Sequence, residues 1–138
     1  MTDQSYSYFD HDADIGVSGR GDTLEAAFEA AAAATFAVMA DLSQVREERT
    51  VRLEFEEADP EFALVTWLNR LLAEAHGEGL VFCRFRLTRQ DGRWLGEARG
   101  EPWRAELERG VEVKGATLTM LSVRRTGGRW EARCVVDV

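Results

Sequence analysis

Lysine is almost missing from this chain. Lys114 is the only one, and arginine supplies the rest of the positive charge. Positive charge of any kind is scarce, with 17 Lys and Arg against 25 Asp and Glu and a formal net charge of −8. That balance argues against a stand-alone nucleic-acid binder, whose affinity comes from neutralising phosphates. It suits a hard cation, a basic partner surface, or solubility alone. Cysteine and histidine are equally sparse, with two of each. Cys83 and Cys134 sit in apolar, strand-like runs ("LVFCRF", "EARCVVDV"), so both read as small buried thiols rather than a disulfide. Ligands scattered this widely do not make a zinc site. No apolar run reaches the roughly 20 residues of a membrane span. The longest, "AAFEAAAAATFAVMA", is shorter and carries Glu29. The segment "MTDQSYSYFD" has neither the basic region nor the apolar core of a secretory signal, so a cytoplasmic location is expected.

With only two prolines and 45% hydrophobic residues, the composition is that of a globular protein. The 138 residues predict a single domain over 1–138, burying about two-thirds of its unfolded surface. "YSYFDH" and "DIGVSGRG" read as a first strand pair. "DTLE" then opens a helix, with Asp22 as N-cap and Glu25 three residues on. Leu24, Phe28, Ala31, Thr35 and Met39 recur at helical spacing and give it one face to pack on a sheet. "TVRLEFEE" alternates as a strand. A second helix begins at Asp59-Pro60 and ends at Gly77 or Gly79, with Leu64, Leu68, Leu71, Leu72 and Ala75 as its apolar stripe and Trp67 and Asn69 flanking it. "LVFCRFRLTR" buries Val81, Cys83, Phe85 and Leu87, and "QDGR" turns it into "WLGEARGE". "VEVKGATLTMLSVRR" and "RWEARCVVDV" form a last pair joined at "TGG". The expected class is α+β: mainly one antiparallel sheet of about seven strands, with both helices on one face.

The acidic stretch "FDHDADIG" stands out, because Asp disfavours the extended backbone and like charges repel across a sheet. Read as one strand, it sets Asp10, Asp12 and Asp14 on one face and His11, Ala13 and Ile15 on the other. Two of these carboxylates, with backbone carbonyls and waters, suit Ca²⁺, Mg²⁺ or Mn²⁺; the plainer reading of the same residues is a solvated turn. At the other end, Asp137 lies beside the terminal carboxylate of Val138, and pairing of the last strand with the early one would bring Asp14, Asp137 and Val138 together. No nucleophile elbow or phosphate-binding loop is present.

Taken in order, "FDHDADIGVSGRGDTLEAAFEAAAAATFAVMADL", "LVTWLNRLL", "EGLVFCRF", "GEPW", "EVKGATLTML" and "VVDV" resemble the archease family, small accessory proteins of RtcB-type RNA ligases. No single piece is specific; the ordered set is. The resemblance implies an α+β fold with an inserted strand-helix-strand-strand (SHS2-like) unit, and an activator rather than an enzyme. It implies promotion of the ligase's covalent guanylate intermediate and repeated turnover in tRNA splicing and RNA repair. That ligase joins 2′,3′-cyclic phosphate or 3′-phosphate ends to 5′-hydroxyls with GTP and Mn²⁺, and RNA is reached only through it. A divalent-metal site maps onto Asp14, Asp137 and Val138, with Ca²⁺, Mn²⁺ or Mg²⁺ as its ion. Lys114, His11 and Asp12 become candidates for contact with phosphate or the partner, His11 in a hydrogen-bonded orienting role. The chain departs from the family at Leu118 and Thr119, where an aromatic and a histidine are typical, and at Thr66, where an acid is common. The histidine often found ahead of the lysine is absent from "ELERGVEVKG". Two other classes compete: a stand-alone metal-dependent phosphohydrolase and a metal-free interaction module. Missing bases argue against the first.

Overall fold

A computed structural model describes residues 5–138, so the expectation about the leader falls partly outside the described residues. The first hairpin forms as its pattern demands: β1 (Tyr6–His11) pairs antiparallel with β2 (Asp14–Gly21). Helix α1 (Leu24–Ala37) follows. Its N-cap is Thr23, whose Oγ1 accepts Ala26 N–H at 3.0 Å, not Asp22; Asp22 is exposed and faces Arg129 at 3.6 Å. Thr is a somewhat weaker cap than Asp, yet here the residue immediately before the first turn takes the position.

After a single 3₁₀ turn come β3 (Arg49–Glu56), α2 (Pro60–Glu78), β4 (Leu80–Gln90) and β5 (Arg93–Pro102). Asp59 accepts from Glu61 N at 2.9 Å at the head of α2, and Gly79, at φ 65°, ends it. Asp91 (φ 50°) and Gly92 (φ 80°) make the tight turn between β4 and β5. The chain closes with β6 (Gly115–Ala116), β7 (Ser122–Thr126) and β8 (Arg129–Asp137).

The α+β class and the two helices are as expected, but the strands divide into two sheets. One has five strands in the order β1-β2-β8-β6, with β7 also on β8; the other runs β3-β5-β4. The second is built from one continuous segment, in chain order strand, helix, strand, strand. That segment satisfies its own backbone partners, while β8 returns to β2. Alternation marks strands but carries no information about such non-local pairing.

The divided sheet explains the alanine-rich helix. α1 packs against β2 and β8 of one sheet, β4 of the other, and α2. Ala27, Phe28, Ala31, Ala32, Ala34 and Phe36 are all fully buried, so the expected single stripe is a helix buried nearly all round. Small side chains let the sheets close on it; a Cβ at Gly19 would run into the backbone of Ala27 and Ala31. Trp67 donates its indole N–H to Phe28 O at 3.0 Å, and Trp94 stacks between Phe28 and Phe55 at 5.3 and 5.9 Å. Both sheets share this core.

Two further expectations change. A bulge between Phe82 and Arg84 breaks the alternation of β4, burying Val81 and Phe82 together and leaving Cys83 half-buried. "VEVKGATLTMLSVRR" is not one strand: it yields only β6 and β7, with a loop at residues 117–121. Cys134 is buried as expected, and burial pushes its thiol up to about 12. No helix among the described residues is long and apolar enough to cross a membrane.

Candidate functional site

The acidic octapeptide is a hairpin rather than one strand. His11 ends β1, Asp12 and Ala13 turn, and Asp14 opens β2. Asp12 takes φ 51°, a left-handed backbone that Asp tolerates because its short side chain bonds locally. The assignment of all three aspartates to one face is thereby corrected. The hairpin pairs His11 with Asp14 and Asp10 with Ile15, and directly opposed residues share a face. His11 therefore stands beside Asp14 rather than away from it, Asp10 lies with Ile15, and Asp12 is exposed at the tip.

β8 supplies the second half. Its pairing with β2 runs to Ile15 opposite Val136, so one further step sets Asp137 beside Asp14. Val138 N–H donates to Asp14 Oδ1 at a long 3.4 Å. Across β8, Gly115 pairs with Asp137, and Lys114 N–H donates to Asp137 O at 2.8 Å. One row across four strands thus reads His11, Asp14, Asp137, Gly115, with the exposed Lys114 adjoining.

A residue that sequence reasoning left as a flank fixes this row. Asn69 of α2 accepts Ala116 N–H at 2.8 Å and donates to Ala116 O at 3.1 Å, so its amide completes β6 as a neighbouring strand would. The signal was there: a bifunctional amide beside an apolar stripe, able to satisfy both the N–H and the C=O of one residue.

Electrostatically the row is open. Neither Asp14 nor Asp137 meets a cationic side chain within ion-pair distance among the described residues. His11 Nδ1 is buried without a hydrogen-bond partner, 3.9 Å from Asp12 Oδ2, so the orienting bond expected of it is not made. Among the described residues, no three His, Cys, Asp or Glu side chains gather into a metal-ligand cluster. Any ion here would draw on two carboxylates, a main-chain oxygen of Val138 and water. That is an oxygen set of the kind hard divalent cations accept, and carboxylates facing no cation leave the acceptor capacity free for it.

Comparison with known proteins follows the fold across its full length. The model of the Archease protein family (MTH1598/TM1083) matches residues 6–138. Protein archease of Pyrococcus furiosus is 37% identical over 141 aligned residues, covering 98% of this chain and 99% of its own. Protein archease of Sulfolobus acidocaldarius is 35% identical, with coverages of 96% and 98%. The solution structure of Methanobacterium thermoautotrophicum protein 1598 superposes with a TM-score of 0.82 at 31% identity, covering 98% and 99% of the two chains. The crystal structure of a Thermotoga maritima protein described as "an archease, possible chaperone" gives 0.67 at 20% identity over 94% of each chain, a likeness of fold alone.

Proposed function

Because the chain belongs to the archease family, we propose that it activates an RtcB-type RNA ligase, promoting the ligase's guanylylation and repeated turnover without catalysing a reaction itself. The observation that carries this reading is the meeting of two acidic ends more than a hundred residues apart in sequence, with Asp14 Oδ1 taking the N–H of Val138. Asp14, Asp137 and a main-chain oxygen of Val138 would hold a divalent cation, Mn²⁺, Mg²⁺ or Ca²⁺. Bound there, such an ion supplies charge neutralisation to phosphate oxygens during nucleotidyl transfer.

The chain's own residues do the positioning. Asp14 and Asp137 are set by the β2–β8 register, and Asp137 is fixed from its far side by Lys114 N–H. The Lys114 side chain is exposed next to them and would contact phosphate or an acidic group of the ligase. Asp12, exposed at the hairpin tip, would contact the partner, and His11 brings an unpaired ring nitrogen to the same row. RNA is reached only through the ligase.

Guanylylation of the cognate ligase with GTP and Mn²⁺, measured with and without this protein and then with Asp137→Ala, tests the reading. Stimulation by the intact protein and its loss in the variant are expected; no stimulation by the intact protein removes it. A metal-free interaction module is the second reading, favoured by the lack of a three-side-chain ligand cluster among the described residues. Calorimetric titration with Mn²⁺ separates the two, since the module gives equal, negligible heats for wild type and Asp14→Ala.

A further inference from the structure

The outer edge of β8 is covered by two short strands instead of one. Between the pairs Ala116–Val136 and Ser122–Arg133, β8 advances three residues while its neighbour advances six, so three extra residues are pushed out of the sheet edge. The extruded loop is held firmly. Thr117 donates to Val135 O through N–H at 3.0 Å and through its hydroxyl at 2.8 Å. Thr119 N–H donates to Thr117 Oγ1 at 3.2 Å, and Val135 N–H donates to Thr119 O at 3.1 Å.

What this fixed loop presents is apolar. Leu118 is 60% exposed and Met120 55%, the two most exposed large hydrophobic side chains among the described residues. Met120 also takes φ 55°, a left-handed backbone that strains a long side chain. A loop needing only to turn is better served at that position by Gly or Asn, which remove the strain and wet the surface. Single exposed apolar residues are common on protein surfaces. Two of them on one hydrogen-bonded bulge, one strained, are a different matter, because bulges re-aim side chains next to functional sites.

The neighbourhood identifies what covers them. Val135, which anchors the loop, lies two residues from Asp137, so the apolar pair borders the acidic row. The same end of the sheet carries Asp10, Asp12, Asp14 and Asp137 against Lys114. We propose that Leu118 and Met120 are the apolar anchor by which this end docks on its protein partner, entering a hydrophobic socket rimmed by basic side chains. The assignment rests on the activator reading and puts the socket on the ligase. Buried apolar anchors dominate such contacts, and surrounding charges set orientation and on-rate.

Affinity of the full chain for the cognate ligase, measured by biolayer interferometry for wild type, Leu118→Asp, Met120→Asp and Met120→Gly, tests this alongside Mn²⁺ titration of each free protein. All three variants should bind the ligase at least about tenfold more weakly, with the heat of Mn²⁺ binding the same as in the wild type. Met120→Gly should also melt at a higher temperature than wild type, a combination that a merely structural role does not produce. Wild-type affinity in both Asp variants overturns the anchor and leaves the activator reading standing. Weaker ligase binding accompanied by altered Mn²⁺ heat also overturns it, since the acidic row is then what was disturbed. A wild-type chain that forms no complex with the ligase overturns the activator reading, and the anchor with it.

Discussion

Glu29 spends its carboxylate on backbone. It lies on α1, and its Oε2 accepts Leu87 N–H of β4 at 2.8 Å, covering a donor on the open edge of the three-stranded sheet. Burial raises its pKa above 4.5, opposed by that N–H and by Arg86 and assisted by Glu25. The folded chain therefore holds this proton more tightly than the unfolded chain. Its contribution to stability is complete below about 4.5 and is lost as pH rises through the folded value. Glu29→Gln keeps an acceptor and removes the charge, so its Tm should exceed that of the wild type at pH 7, with the gap closing in acid. A lower Tm at pH 7 would contradict this. Glu101 has the opposite sign. It is buried, accepting Arg104 Nε–H at 2.9 Å and Arg46 N–H at 2.7 Å. Its hydrogen bond to Arg104 leads in lowering its pKa below 4.5, against the desolvation that raises it. Its stabilisation is present above that value and lost as pH falls, so Glu101→Gln should flatten the acid limb of a Tm–pH curve. The Glu29 shift is not legible in sequence, since it depends on burial and on Leu87 of a distant strand. Glu101 has its leading partner three residues away, but its burial and the Arg46 N–H come from the fold.

Among the elements, what could be read locally was read well. The Asp59–Pro60 start of α2, its Gly79 stop and the Asp91-Gly92 turn are signals complete within a few residues. Two local readings changed, the cap of α1 from Asp22 to Thr23 and the turn at Asp12. The rest of what changed was geometry made across the chain: the all-round burial of α1, the split into two sheets, and the broken strand beside β8. The glycines turn that difference into a measurement. Gly19 lies where β2 meets α1, and an added Cβ would strike helix backbone, which cannot yield as a side chain can. Gly19→Ala should cost about 3 kcal/mol in urea unfolding, at the upper end of ordinary overpacking. Gly77, inside α2, has nothing within 4 Å of an added Cβ, so Gly77→Ala should stabilise by about 0.5–1 kcal/mol through helix propensity. In sequence both are a glycine near a helix; only the packing of α1 between two sheets gives the substitutions opposite signs.

Over the whole molecule, the acidic row ties the ends of the chain to the middle of the larger sheet. β2 and β8 are its central strands, and the strand-helix-strand-strand segment lies between them in the chain. The sequence singled out Asp14 and Asp137 by their density of charge and their place at the ends. It put His11 on the wrong face because alternation was carried through a turn. Asp14 and Asp137 are neighbours at the same end of two paired strands, and like charges set opposite each other destabilise a sheet. If a divalent cation is held there as proposed, it stabilises the fold by binding the native state alone, by about 2.7 kcal/mol at a hundredfold excess over its dissociation constant. Millimolar Mn²⁺ should therefore raise the Tm of the wild type beyond NaCl of matched ionic strength, and slow hydrogen exchange at the amides of Lys114 and Val138, which bond within the row. Asp137→Asn should show neither response. Without any cation, however, it should melt above the wild type, because the repulsion with Asp14 is gone while the β2–β8 ladder is intact. That crossing of the two curves, variant higher without Mn²⁺ and lower with it, is what separates a cation site from an acidic edge that is only solvated. Parallel curves would count against the site.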